Sequence, residues 1–287
     1  MINIKYLIQS ILIFFLFLIF KLLGLKISSK ISSLIFKLVG PIFRSKKIIN
    51  FNLSIAFPKL SSLEKKKISE KMWINYGKIF AEYVFMKEFR NGKLSKKIKV
   101  LNQEILEQII KDSKPVIFIS GHFSNFELMA MHIEKSGINL SAIYRPLNNI
   151  FLNPLMEQIR KKYICKNQIK KGSSGTRKLL SNFKNGDSIA LMIDQRVSEG
   201  IKSNFFNKPA LTTTIPAQFI KKFKTKLVPI YIERLENDNF AIKIHNPIKF
   251  ANNKTLETIT FELNQILQKM IVKNPEQWIW THNRWKI

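Results

Sequence analysis

The chain has 287 residues, 46% hydrophobic and 11% aromatic, enough to bury one sizeable core and far too apolar for a disordered chain. Its 48 Lys and Arg against 19 Asp and Glu leave a net charge of +29, a field that draws anionic partners without naming one. The single cysteine, Cys165, excludes an intramolecular disulfide and every multi-thiolate zinc site.

From Tyr6 to Leu25 the sequence is nearly continuous apolar residues, broken at Gln9, Ser10 and Lys21, and approaches the ~20 residues that cross a bilayer. No small-x-small cleavage pattern follows, and the next stretch is basic (Lys26, Lys30, Lys37, Arg44, Lys46, Lys47). These flanks favour a retained membrane-anchor helix over residues 1–25, with the remainder cytoplasmic, over a cleaved signal or a buried core helix. Whether it spans or lies in the interface stays open.

Residues 27–57 alternate apolar and basic clusters and suit amphipathic helices near a lipid surface. Ser61 and Glu64 form a capping box, opening a helical pattern that runs to about Phe89 and stops at Asn91-Gly92. Residues 26–90 therefore read as membrane-proximal helices and 91–287 as the main domain. There, strand patterns at 115–120, 139–144, 163–169, 188–193, 227–232 and 239–245 intersperse with helix patterns at 102–112, 124–136, 151–162, 174–184, 213–224 and 255–273. Alternation of these lengths predicts an α/β fold, a mixed, mostly parallel sheet flanked by helices.

The most informative stretch is Ser120-Gly121-His122-Phe123-Ser124-Asn125-Phe126-Glu127, directly after an apolar strand, where open α/β sheets form their ligand crevice. Five residues on one helix would place Glu127 about 140° from His122, so His122 is expected in the loop before the helix, its ring folded back toward Glu127. There it is a candidate base whose rising positive charge a carboxylate supports. The alternative is structural, since Ser124 and Glu127 also have capping-box spacing. Arg145 follows the next strand and Asp194-Gln195-Arg196 the strand at 188–193, so three strand ends converge on charged chemistry. Four of only eight arginines fall between 145 and 196, which points to an anionic substrate, because guanidinium forks hold phosphate or carboxylate bidentately.

The blocks GHFSNFELMA, IYRPLNN, ALMIDQR, FFNKPALTTTIPAQFIKKFKTKLVPIY and PEQWIWTHNRWK, in this order along the chain, resemble the bacterial late acyltransferases of lipid A biosynthesis. The resemblance implies a glycerolipid acyltransferase-like fold and a cofactor-free, membrane-bound enzyme at the cytoplasmic face of the inner membrane. Such an enzyme moves a fatty acyl chain from acyl carrier protein onto the hydroxyl of a hydroxyacyl chain on a phosphorylated glucosamine disaccharide, the lipid A precursor. His122 and Glu127 would be catalytic, and Arg145, Asp194 and Arg196 substrate-binding or site-organising. The spacing of His122 and Glu127 is that family's form of a pattern in which glycerolipid acyltransferases usually carry Asp. Met192-Ile193-Asp194-Gln195-Arg196 stands where those enzymes have a Phe-Pro-Glu-Gly-Thr-type block, which demotes glycerol 3-phosphate as acceptor. Another glycolipid or phospholipid acceptor is the alternative. A basic nucleic-acid-binding membrane protein is disfavoured, since no nucleic-acid motif accompanies the charge.

Three further features are open. Lys171 to Lys178 looks like a phosphate-cradling loop but lacks P-loop spacing and fits a helix cap near Thr176. Trp278, Trp280 and Trp285 suit either an amphipathic tail at headgroup level or a tail docked on the core. His132, His245 and His282 show no ligand-like spacing, so no metal is expected.

Overall fold

The computed structural model describes residues 2–286. Helix α1 (Ile2–Phe43) does not stop near residue 25. It kinks at Gly24, where φ is 75°, and continues. From Ile4 to Phe43 it is long and apolar enough to cross a membrane, and it exposes Leu7, Ile8, Leu12, Phe15, Leu18 and Leu22 along its length. A buried core helix would not leave so continuous an apolar face in water.

Helix α2 (Lys46–Ala56) follows, then α3 (Ser62–Glu82), opened by the expected capping box: Ser61 Oγ accepts from Glu64 N and the Glu64 carboxylate accepts from Ser61 N at 2.8 Å. The second half of α1 lies on α3 at Gly77, whose absent Cβ would stand 2.4 Å from Ser32 O. Phe17, Phe20 and Phe36 of α1 converge on Phe80. Helix α4 (Met86–Asn91) ends at Gly92 and leads into the main domain.

That domain runs β1 (Ile98–Leu101), α5 (Glu104–Asp112), β2 (Ile117–Ser120), α6 (Glu127–Lys135), β3 (Leu140–Tyr144), α7 (Asn153–Ile159), β4 (Asn167–Lys170), α8 (Ser173–Lys184) and β5 (Ser188–Met192). It continues with β6 (Ile201–Phe205), β7 (Lys208–Thr212), α9 (Ile215–Phe223), β8 (Leu227–Arg234), β9 (Phe240–Ile244) and α10 (Leu256–Lys273). The main sheet has the order β1-β9-β8-β2-β5-β3-β4, and only the β8–β9 pair is antiparallel. The expected mixed, mostly parallel sheet is therefore present. All four residues of β2 and the first six of β8 are buried, as central strands covered on both faces require.

Three strands escaped the pattern reading. Strand β1 is half-exposed at the sheet edge, and β6 and β7 form a separate hairpin whose sequences, IKSNF and KPALT, are polar and carry Pro209. Their pairing comes from tertiary packing: Trp285 Nε1 donates to Phe205 O at 3.0 Å and Asn264 Nδ2 to Asn204 O at 3.1 Å. The 163–169 run splits into a π-helical turn over Arg160–Ile164 and the short β4, its apolar Ile164 and Cys165 facing the core from irregular backbone. Helix α8 begins at Ser173, after Gly172, earlier than the Thr176 cap predicts.

The C-terminal tail docks on the core. Trp278, Trp280 and Trp285 are all buried, and fully buried Arg284 donates to Leu211 O and Thr212 Oγ1, each at 2.8 Å. A headgroup-level tail is excluded.

The α1–α3 crossing yields a test in which two effects have opposite sign. Gly→Ala in a helix interior ordinarily stabilises by about 0.8–1 kcal/mol. At Gly77 the added methyl meets α1 backbone, and overpacking costs about 1–3 kcal/mol. Gly77→Ala is expected to lower the thermal midpoint. A raised midpoint would mean that α1 does not pack there.

Candidate active site

Pairing of β2 with β5 sets Ser120 opposite Met192, and Ile193 N continues the ladder to Ser120 O at 3.0 Å. Two residues further along, His122 and Asp194 face each other at the carboxyl ends of adjacent parallel strands. Asp194 Oδ1 lies 2.8 Å from His122 Nδ1, and its Oδ2 accepts from His122 N at 2.8 Å and from Trp278 Nε1 at 2.9 Å. The Asp194 side chain is wholly buried, whereas 21% of the His122 side chain is exposed. With Nδ1 committed, Nε2 is left without a protein partner among the described residues. Gly121 permits this approach, since a Cβ there would stand 3.2 Å from Asp194 Cβ and 2.9 Å from the Phe123 ring.

The electrostatics follow from burial against pairing. Burial pushes the His122 imidazole down, but the charge and hydrogen bond of Asp194, with a smaller contribution from the charge of Glu127, lift it above its ordinary value. Burial likewise works against Asp194, and His122 with the bonds from His122 N and Trp278 holds its carboxyl below the usual range.

Glu127 does not contact the His122 ring. Its Oε1 accepts from the Tyr83 hydroxyl and from Arg160 Nε, the latter at 2.9 Å, and Arg160 Nη2 also donates to Tyr83 Oη at 3.2 Å. Helix α6 begins at Glu127, and Arg160 stands in the π turn after α7. Burial opposes the Arg160 charge, but Glu127 and Tyr83 keep the guanidinium protonated beyond its ordinary range. The capping box read from spacing is absent: Ser124 adopts a left-handed conformation, φ 42°, and its buried hydroxyl has no partner. Ser124 N donates instead to Gln277 O at 2.8 Å, which ties the histidine loop to the tail.

A second buried ion pair braces the loop from behind. Asn125 Nδ2 donates to Glu82 Oε2 at 2.8 Å, and Glu82 is gripped by both terminal nitrogens of Arg234 on β8. Arg234 also donates to Asn75 Oδ1 at 3.1 Å and stacks over Phe240.

Arg145 follows β3, is exposed, and makes no hydrogen bond or ion pair among the described residues. Arg196 is turned to the tail: its N donates to His282 Nε2 at 2.9 Å and its Nε to Lys286 O at 2.7 Å. The structure thus joins His122 to Asp194, holds Glu127 within charge range, and leaves both predicted arginines outside direct contact with the pair. The sequence assigns no site role to Tyr83, Arg160, Trp278 or His282, although Arg160 is one of the scarce arginines in the 145–196 window and Trp278 and His282 lie in the PEQWIWTHNRWK block.

A buried carboxylate fixing a histidine whose other nitrogen remains open, at the strand ends of a mostly parallel sheet, is the equipment of an α/β enzyme that moves protons at a substrate. The family model for bacterial lipid A biosynthesis acyltransferases matches residues 2–287, and the chain belongs to that family. It is an acyltransferase. It is 23% identical to the lipid A biosynthesis lauroyltransferase of Escherichia coli K12 over 252 residues, covering 85% of this chain and 79% of that one. It is 22% identical to lipid A biosynthesis acyltransferase 2 of Shigella flexneri over 247 residues, covering 83% and 76%. Among solved structures, the 1-acyl-sn-glycerophosphate acyltransferase PlsC of Thermotoga maritima matches with a TM-score of 0.44 and 15% identity, over 89% of this chain and 100% of that one.

The His122–Asp194 pair predicts a titration outcome. In Asp194→Asn the main influence that raises the imidazole is gone, the smaller pull of Glu127 is opposed by Arg160, and the burial that lowers it remains, so the His122 pKa should fall below about 6.5. Titration of the His122 ring protons by NMR measures it. An unchanged value would mean that another group controls the ring.

Proposed function

We propose that this acyltransferase moves a fatty acyl chain from the thioester of acyl carrier protein to the hydroxyl of a hydroxyacyl chain on a phosphorylated lipid A precursor, with His122 as general base. The observation that carries this reading is the open Nε2 of a buried histidine whose Nδ1 is held by Asp194. Asp194 fixes the tautomer that keeps Nδ1 protonated and Nε2 free to accept a proton. As the acceptor oxygen attacks the thioester carbonyl, Nε2 takes its proton. The new C–O bond forms, the C–S bond breaks, and the departing thiolate takes the proton back from Nε2.

In this mechanism Glu127 is not the carboxylate on the ring, as the spacing suggests, but a neighbouring negative charge that favours the imidazolium and holds Arg160 in place. On this reading Arg145, exposed and unpaired among the described residues at the end of β3, would meet substrate phosphate. Arg196, whose guanidinium is bonded to Lys286 O and Ser198 Oγ, would organise the site from the tail side. Cys165 takes no part: its thiol is buried, pushed up to about 12 by burial, and bonded to Leu140 O at 3.0 Å.

The apolar α1 is the reading's membrane element, with residues 1–25 as its anchoring part and the inner membrane's cytoplasmic face as its location. Residues 26–287, comprising the membrane-proximal helices up to residue 90 and the core beyond, are the acyltransferase domain. Support comes from the exposed apolar face of α1 and the basic residues after it.

Two outcomes test the reading together. His122→Ala should cut turnover by about 10²–10⁴-fold with acceptor binding preserved. A base must be neutral to accept a proton, and His122 titrates above its ordinary ~6.5, so wild-type turnover should be full above that raised value and fall as pH drops through it. Mass spectrometry of the acceptor lipid measures the gained acyl mass. An active His122→Ala enzyme, or an acid limb at the usual carboxylate range, would remove His122 from the chemistry.

A further inference from the structure

The +29 charge is unevenly spread. Between residues 161 and 184 stand eight cations (Lys161, Lys162, Lys166, Lys170, Lys171, Arg177, Lys178 and Lys184) and no Asp or Glu. All eight are exposed. Among the described residues their one ion pair is Lys170 Nζ to Glu157 Oε1 at 3.4 Å, with the lysine side chain still 64% exposed. Mutual repulsion on this scale is tolerated on a folded surface, and apart from Glu157 no ion pair among the described residues offsets it.

The topology gathers these residues on one face. Strand β4 is the outermost strand of the main sheet, and α8 packs beside it. Between them lies a cleft of about 390 Å³, lined by Lys166, Asn167, Gln168, Lys170, Ser174 and Lys178. From residue 152 to 234 no large apolar side chain is exposed, the reverse of α1. A lipid-binding surface of this charge would carry apolar or aromatic anchors among its lysines. This one offers cations, side-chain amides and the Ser174 hydroxyl around a buried Ile169. The face also reaches the site: Lys171 N donates to Tyr144 O at 2.9 Å, next to Arg145, and the Lys171 charge is felt at His282, the partner of Arg196.

We propose that the outer edge of β4 and the adjoining surface of α8 form the docking face for the acidic acyl carrier protein, which sets the carrier beside the strand ends where its thioester reacts. The inference rests on the carrier-linked donor proposed above. Charge complementarity selects the occupant: an acidic, polar protein surface matches a basic one that exposes no large apolar side chain and has only Glu157 and Asp187 as neighbouring acids. Burial of its edge against a partner also gives a use to a cleft that lies apart from the catalytic pair.

The test uses the full-length protein in detergent with the triple variant Lys166→Glu, Arg177→Glu, Lys178→Glu, none of which touches the catalytic groups. Two donors are compared, acyl carrier protein and an uncharged small thioester, the acyl N-acetylcysteamine. The KM for the carrier donor should rise about tenfold or more, on the scale of lost electrostatic steering, while turnover from the small thioester changes less than about twofold. Added salt should raise the carrier KM of the wild type and leave that of the variant nearly flat. An unchanged carrier KM in the variant overturns the docking face, and the lysines then only guard a sheet edge against pairing. Equal losses on both donors overturn it too, as does an unchanged carrier KM with lost sedimentation on phosphatidylglycerol vesicles, which would assign the face to lipid. The donor reading fails separately: a wild-type enzyme active on the small thioester and inert with the carrier protein would remove the carrier itself.

Discussion

The site depends on one pairing, that of β2 with β5. Because β5 is inserted between β2 and β3 in the sheet, although it follows both in the chain, residues 72 apart in sequence are set side by side at the ends of neighbouring parallel strands. Parallel register is fixed by evenly spaced backbone bonds and by burial on both faces, so a slip of one residue would turn Ile117, Ile119, Ile189 and Leu191 to the wrong sides of the sheet. The same register that satisfies the core therefore holds His122 against Asp194. Position of the His122–Asp194 pair is a consequence of apolar packing, and this is more rigid than any loop could provide.

Two buried ion pairs then restrain what the strands cannot. Glu82 with Arg234 holds Asn125, and Glu127 with Arg160 and Tyr83 holds the start of α6, so the loop between β2 and α6 is gripped from both sides. Both pairs involve charges taken out of water, where the desolvation cost can exceed the attraction. Well-packed hydrophobic residues would serve stability as well, so stability alone does not account for them. What they add is a fixed loop geometry and, at Glu127, a standing negative charge that raises the His122 imidazole. Removing one partner from either pair would leave an uncompensated buried charge, which ordinarily costs about 3–5 kcal/mol.

Much of this was legible beforehand. The Ser61 to Glu64 capping box, the interspersed strands and helices, and the placing of His122 and Asp194 at strand ends all follow from local patterns with strong physical causes. The partner of His122 was not legible. Spacing ties His122 to Glu127, five residues away, whereas the contact that forms depends on which strands become neighbours, and the order β2-β5-β3 is written in no local stretch. The left-handed Ser124 is similar: its sequence reads as a helix cap, and only the bond from its amide to Gln277 O shows why the backbone turns another way. Hairpin β6–β7 was missed because its polar strands acquire their order from α10 and the tail, and the tryptophans at the end of the chain were ambiguous because an aromatic cluster suits a headgroup region and a core equally.

Polar contacts join helix α1 to the loop that follows β3. Ser10, a polar interruption in its apolar run, is buried, and its hydroxyl lies 2.9 Å from Asn149 Oδ1, while Asn149 Nδ2 donates to Tyr6 O at 3.0 Å. Asn149 stands in the loop between β3 and α7, four residues beyond Arg145, and its Oδ1 also accepts from Phe151 N and Leu152 N. Further along, Lys21 pairs with Glu88 of α4. Polar contacts in the middle of an apolar helix cost most where no water can replace them, so their presence ties the helix to this loop at a defined height. The exposed apolar side of α1 and the exposed Ile150 and Phe151 of the loop then lie on connected elements. Any apolar surface that takes up the exposed side of α1 would therefore also meet the loop that carries Arg145.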